Sequence, residues 1–114
     1  MAKDPPNSMN KKTLSLVAER FKILGDPLRL QILQVLQEKE QSVGQIVDAT
    51  GASQANVSRH LQILLRARFV DRRKEGLNVF YRISDPTVRD LCTVVCDSLA
   101  ERLSSDLSAL GPRD

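Results

Sequence analysis

A chain of 114 residues, 41% of them hydrophobic, has the size and apolar content of one domain, and five Gly with five Pro exclude fibrous and disordered classes. No apolar run approaches the ~20 residues of a membrane span and MAKDPPNSMNKK lacks the apolar core of a signal peptide, so the expected location is cytoplasmic. The formal net charge is +3, yet seven Arg or Lys against two acidic residues fall between Arg59 and Arg82, whereas three against six fall from Ile83 onwards, which points to a polyanion met by one segment.

Residues 1–10, with Pro5, Pro6, Asn7 and Ser8, read as a loose N-terminal arm ahead of one domain over about 11–110. In TLSLVAERFKILG, Leu14, Val17, Phe21 and Leu24 recur at helical spacing and Gly25 stops the helix. DPLRLQILQVLQEKE starts a second helix, with Asp26 as N-cap, Pro27 at the first helical position, and Leu28, Ile32, Leu33, Val35 and Leu36 as its apolar side. SVGQIVDATG is a short third helix capped by Ser42 and ended by Gly51, with Ile46 and Val47 inward. Ser53 caps the next helix, SQANVSRHLQILLRARF (about 53–67), in which Val57, Leu61, Leu64 and Leu65 line one face.

Two helices separated by a turn at Gly51–Ala52 make a helix-turn-helix. Beyond it, Phe69 to Arg73 and Val79 to Ile83 are rich in β-formers and flank KEGLN, which predicts a β-hairpin over about 69–83. Asp85 and Pro86 open a final helix of roughly six or seven turns, ending before Gly111–Pro112. The fold class is mainly α with a β-hairpin wing: a winged helix-turn-helix of about five helices.

In such a fold the second helix of the pair enters the DNA major groove and its N-terminal residues meet base edges. Stepping 100° per residue leaves Ala55, Asn56, Arg59 and Gln62 pointing away from the apolar face. Gln54, Asn56 and Ser58 lie near the capped start, where the helix dipole favours phosphate. Gln and Asn pair bidentately with adenine, and Arg with guanine or phosphate. The predicted DNA-binding set is therefore Ser53, Gln54, Ala55, Asn56, Ser58, Arg59, His60 and Gln62, with Arg72, Arg73 and Lys74 of the hairpin for the backbone or minor groove. His60, on the flank of this helix, is expected to make a hydrogen bond or a DNA contact rather than bind a metal. The same helix pair could instead serve as a winged-helix protein-interaction module. No nucleophile stands with the single His, so the chain is not expected to be an enzyme.

The stretches LGDPLRLQILQVL and SVGQIVDATGASQANVSRHLQILLRARFVDRRKEGLNVFYRIS, with the long closing helix, resemble bacterial ArsR/SmtB-type repressors over about residues 13–103. The resemblance implies a homodimeric winged-helix repressor that pairs through its first and last helices and leaves its operator when an inducer binds. It implies that Gln54, Asn56, Ser58 and Arg59 sit in the major groove and Arg72, Arg73 and Lys74 on the wing. Independently, the stripe Val88, Leu91, Cys92, Val95, Leu99 and Leu103 on the last helix is too large for one small domain to cover. A two-fold dimer sets two reading helices about one DNA turn apart, matching a palindromic site.

Members of that family often bind metals or metalloids, and here the sequence departs. Where a third-helix site has the pattern ELCVCDL, this chain has EQSVGQI, with Ser42 and Gly44 in place of thiolates. Where a last-helix zinc site has D-x-H and H-x-x-E, this chain has Asp85-x-Thr87 and Ser98-x-x-Glu101: the acids remain, both imidazoles are gone, and the site is expected to be non-functional. The cysteines Cys92 and Cys96 fall at about 40° and about 80° from Val88 on the last helix, a different face from Thr87, Ser98 and Glu101. They are either the packing of a buried helix or an inducer site for arsenite, a soft metal ion or a thiol oxidant or persulfide. Two thiols are too few for a stable metal site, so a third ligand has to come from elsewhere, and no cofactor is required.

Overall fold

A computed structural model describes residues 9–109, in the order α1 (Lys11–Leu24), α2 (Pro27–Leu36), β1 (Gln41–Ser42), α3 (Val43–Thr50), α4 (Gln54–Arg66), β2 (Val70–Glu75), β3 (Asn78–Ile83) and α5 (Pro86–Ala109). The expected arm falls mostly on residues 1–8, outside the described residues, as does the expected end of the last helix at residue 110.

Each helix starts where its sequence provides an acceptor for an orphan N–H. Asn10 accepts from the Thr13 backbone at 2.8 Å, and Asp26 from the Arg29 backbone at 3.0 Å. Ser42 forms a capping box with Gln45, the Ser42 hydroxyl accepting from Gln45 N and the Gln45 amide oxygen from Ser42 N. α3 closes on Gly51 in the left-handed region, φ 73°, where any other residue carries backbone strain.

Ile32, Leu33 and Leu36 of α2, Ile46 of α3, and Val57, Leu61 and Leu64 of α4 form one core with Phe69, Val70, Tyr81 and Val88. Each such side chain contributes roughly 1.5–3 kcal/mol on burial, which makes α2, α3, α4 and the sheet the rigid body that carries the site. The first helix behaves differently from its pattern: only Leu24 of its apolar face is buried, while Leu14 is 49% and Phe21 57% exposed. α5 leaves the body after Cys92, and every residue described from Thr93 to Ser108 is exposed.

The hairpin is two-thirds of a sheet. Gln41 and Ser42 pair with Tyr81 and Phe80, giving an antiparallel order β1-β3-β2 where two strands were expected. The loop is also tighter than KEGLN. Glu75 pairs with Asn78, so Gly76 and Leu77 alone turn the chain, with Gly76 at φ 61°, the first central position that a type II′ turn gives to glycine. β2 begins at Val70 because Phe69 belongs to the cap that closes α4. Its N–H donates to Leu64 O and that of Arg68 to Leu65 O, both at 3.0 Å, a Schellman cap with Arg68 at φ 63°.

Candidate nucleic-acid interface

The α3–α4 pair is held by its turn as well as by its core. Thr50 Oγ1 donates to Ile46 O at 2.8 Å and accepts from Ala52 N at 3.3 Å. Ser53 then caps α4, accepting from Asn56 N at 3.1 Å. From this start α4 divides cleanly. Val57, Leu61 and Leu64 are buried and Leu65 is half-buried, while Gln54, Ala55, Asn56, Arg59 and Gln62 are exposed and Ser58 is half-buried. The structure thus gathers Gln54, Asn56, Arg59 and Gln62 of α4, with Ala55, on one outward surface.

His60 does not belong to that surface. It is buried, 5% exposed, and of its two expected roles only the hydrogen bond is open to it. Its Nδ1 lies 2.9 Å from Arg29 Nη1 and its Nε2 3.3 Å from Arg59 Nη2. Burial holds its pKa below the ordinary imidazole value, the carboxylate of Asp26 opposes that, and the guanidinium groups of Arg59 and Arg29 add to it. Asp26 sits below the usual carboxylate range, chiefly through the backbone bond from Arg29. Arg29 was not singled out in the sequence; its place three residues after the Asp26 cap is the one signal that could have found it.

The wing also differs from expectation at one position. Arg72 and Lys74 are exposed and lie on the strand face of Val70, whereas Arg73 projects from the other face. There its guanidinium packs over the Phe80 ring at 5.1 Å, binds Glu75 at 2.6 Å and makes a bidentate pair with Glu40. Two carboxylates raise the Arg73 pKa further, and the guanidinium holds the Glu40 carboxyl below its ordinary value. Arg73 is a strut between β2 and the segment before β1, and its charge is matched on its own chain. Glu40 is 33 residues away in sequence, so nothing local in either segment marked the pair.

Of the family's last-helix zinc positions, Asp85 is taken up by protein contacts. Asp85 Oδ1 accepts from Thr87 N at 3.0 Å as the cap of α5, and Asp85 Oδ2 pairs with Arg20 at 3.2 Å. Arg20 also donates to Ala67 O at 3.3 Å and stacks 4.3 Å from the Phe69 ring, joining α1, the end of α4 and the start of α5. Among the described residues no cluster of three or more His, Cys, Asp or Glu is arranged to hold a metal ion. Cys92 is half-buried and Cys96 exposed, both as free thiols. Burial, then the neighbouring Cys96, pushes the Cys92 thiol pKa up. Both cysteines line a groove of 830 Å³ between α5 and the α1–α2 corner, with Phe21, Leu24, Leu30 and Leu91 as its apolar wall.

A capped two-helix head with a polar outward face and a three-stranded wing defines a winged helix-turn-helix fold. The model of the bacterial regulatory protein arsR family matches residues 26–72, which run from the α2 cap to the first wing strand. The chain belongs to that family. It is 36% identical over 96 residues to the uncharacterized HTH-type transcriptional regulator Rv0081 of Mycobacterium tuberculosis, covering 83% of this chain and 84% of that one. The crystal structure of that protein superposes with a TM-score of 0.77 at 35% identity, over 86% of this chain and 99% of the other. A solution structure of a homodimeric winged helix-turn-helix DNA-binding domain from Mycobacterium bovis gives 0.74 at 32% identity, over 87% and 94%. A probable mercury resistance operon repressor of Streptomyces lividans is 36% identical over 92 residues, 81% of this chain and 70% of that one. No helix among the described residues is long and apolar enough to cross a membrane.

Proposed function

We propose that this regulator is a cytoplasmic homodimer that represses transcription by binding a palindromic duplex operator through two copies of α4. The outward row Gln54, Ala55, Asn56, Arg59 and Gln62 above a buried apolar face carries the reading, because it supplies bidentate and phosphate-binding groups at the capped end of one rigid helix. Ser53 and Ser58 support it at the helix start, and Arg72 and Lys74 supply wing cations for the backbone. Arg73 contributes to the wing as its brace. Dimerisation through α1 and α5 is supported by Leu14, Phe21, Val95, Leu99 and Leu103, all exposed in one chain. The test is a titration of labelled DNA from upstream of the protein's own gene. Binding is expected to be sequence-specific and to weaken steeply with salt; retention of a partner protein but not of DNA assigns the helix pair to protein recognition instead. Leu99→Glu with Leu103→Glu is expected to give monomers by sedimentation and to lose operator binding.

Release from the operator is proposed to begin at Cys92 and Cys96, by arsenite, a soft metal ion or a thiol oxidant or persulfide. The groove position of both thiols and the presence of a mercury-operon repressor among the relatives support this. A two-fold partner brings a second pair, which supplies the missing third ligand. Cys92→Ser and Cys96→Ser are expected to keep operator binding and lose derepression; normal responses of both variants to arsenite and to thiol oxidants sink the assignment.

A further inference from the structure

The roles above leave His60 unused, although it is the one buried side chain among the described residues that can carry a positive charge. A guanidinium only donates hydrogen bonds. The 2.9 Å contact from Arg29 therefore requires Nδ1 as acceptor and places the ring proton on Nε2. Nε2–H then faces Arg59 Nη2 at 3.3 Å, donor against donor, so that contact is not a hydrogen bond. Arg29 gains a fixed partner, while Arg59 has none on its own chain among the described residues.

Arg29 is tied at two further points. Its Nε donates to Ile23 O at 2.6 Å in the last turn of α1, and its backbone N–H to the Asp26 cap at 3.0 Å. One side chain thus connects the end of α1, the start of α2 and the middle of α4. The other side of this corner, Leu24, Gly25 and Pro27, is a wall of the groove that contains Cys92 and Cys96. The charged groups facing the imidazole are Arg29 and Asp26 from the α2 end, Asp26 Oδ1 being 4.0 Å from Nδ1, and Arg59 from α4 itself.

We propose that His60 and Arg29 form a positioning joint that fixes the reading helix to the α1–α2 corner and leaves Arg59 free for DNA. This rests on α4 being the DNA-reading helix. A displacement of the corner from the groove side passes through Arg29 to α4, with His60 as the contact point. An imidazolium has no acceptor, so protonation removes the Arg29 bond and sets a third positive charge beside two guanidinium groups, against the single carboxylate of Asp26.

The test is operator affinity by fluorescence anisotropy for the full chain, His60→Asn, and Arg29→Met with His60→Leu, each with and without Arg59→Ala. Asn offers an acceptor near the Nδ1 position, and the Met/Leu pair replaces the network by apolar side chains whose folding a urea melt checks. Arg59→Ala is expected to weaken the wild type by about tenfold and the Met/Leu variant by less than about threefold, a coupling of the size seen for residues in one network. The wild type is expected to weaken as pH falls below about 6.5, because burial holds the imidazole below its ordinary value, and His60→Asn to stay flat. Equal losses from Arg59→Ala in both backgrounds, or the same pH curve for His60→Asn, overturn the joint; if the Met/Leu variant does not fold, the His60→Asn pH curve decides alone. Failure of the wild type to bind any operator DNA instead overturns the assignment of α4 as reading helix.

Discussion

Arg68 is the one residue other than glycine with a positive φ among the described residues, and it stands where a Schellman cap takes glycine. The left-handed region costs an L-residue roughly 1–2 kcal/mol. Glycine avoids that cost but loses roughly 0.5–1 kcal/mol more chain entropy on folding. The bonds at this corner are made by the backbone: Arg68 N to Leu65 O, Phe69 N to Leu64 O, and Ser84 Oγ to Arg68 O, each at 3.0 Å. All three survive the substitution, so Arg68→Gly is expected to stabilise the fold by about 0.5–1 kcal/mol and to raise the thermal midpoint by roughly 2–8 °C. Arg68→Ala keeps the strained Cβ and is expected to stay within about 0.5 kcal/mol of the wild type. Thermal and urea melts at one fixed protein concentration measure both. A midpoint for Arg68→Gly at or below the wild type, or an equal rise for Arg68→Ala, refutes the argument that backbone conformation is what Arg68 costs the fold.

On the wing, Arg72→Ala and Lys74→Ala are each expected to lower the salt slope of operator binding by about one, and Arg73→Ala to leave it nearly unchanged because Glu40 and Glu75 already match its charge. A full unit lost on Arg73→Ala assigns that guanidinium to a phosphate. His60 has a folded pKa below its unfolded value, so the unfolded chain binds more protons and stability falls as pH drops below about 6.5. Above that pH the group is neutral in both states and contributes no slope; a melt series in which His60→Asn keeps the same slope contradicts this. Zinc is expected to leave the thermal midpoint unchanged, because Asp85 is held by Arg20 and Thr87 and no imidazole stands at Thr87 or Ser98. A ligand at 100 times its Kd adds about 2.7 kcal/mol, and a rise of that size in zinc reverses the conclusion.

The helix-turn-helix was legible because its signals are local: Ser42, Gly51 and Ser53 sit at ends, and Val57, Leu61 and Leu64 repeat at helical spacing. The wing's existence was legible for the same reason, but its register was not, since a two-residue turn at Gly76–Leu77 and a five-residue loop both suit KEGLN. β1 carries no pattern of its own: two residues become a strand only because β3 offers them a free edge. The outward residues of α4 follow from helical angle alone. His60 lay at the margin of that angle, and its hydrogen-bond partner Arg29 is 31 residues away. The pairing of Arg73 was hidden for a related reason: sequence gives the sign of a charge, but not that Glu40, 33 residues away, lies beside it.

These charge pairings change what the basic middle of the chain offers DNA. The seven cations between Arg59 and Arg82 are not equivalent, since Arg73 is matched by two carboxylates while Arg59 and Arg72 have no carboxylate partner among the described residues. The unpaired cations therefore lie on α4, on the wing face shared by Arg72 and Lys74, and on the other wing face at Arg82, with Arg68 at the corner between helix and wing. The apolar surface is divided just as sharply. α5 buries Val88 and half-buries Leu91 and Cys92, then carries Val95, Leu99 and Leu103 past the edge of its own domain. On the proposed dimer the partner covers that overhang, and Cys92 and Cys96 mark the point where α5 leaves one body for the interface. Under the release proposed above, a ligand held there acts on the spacing between the two bodies, and hence on that of the two reading helices.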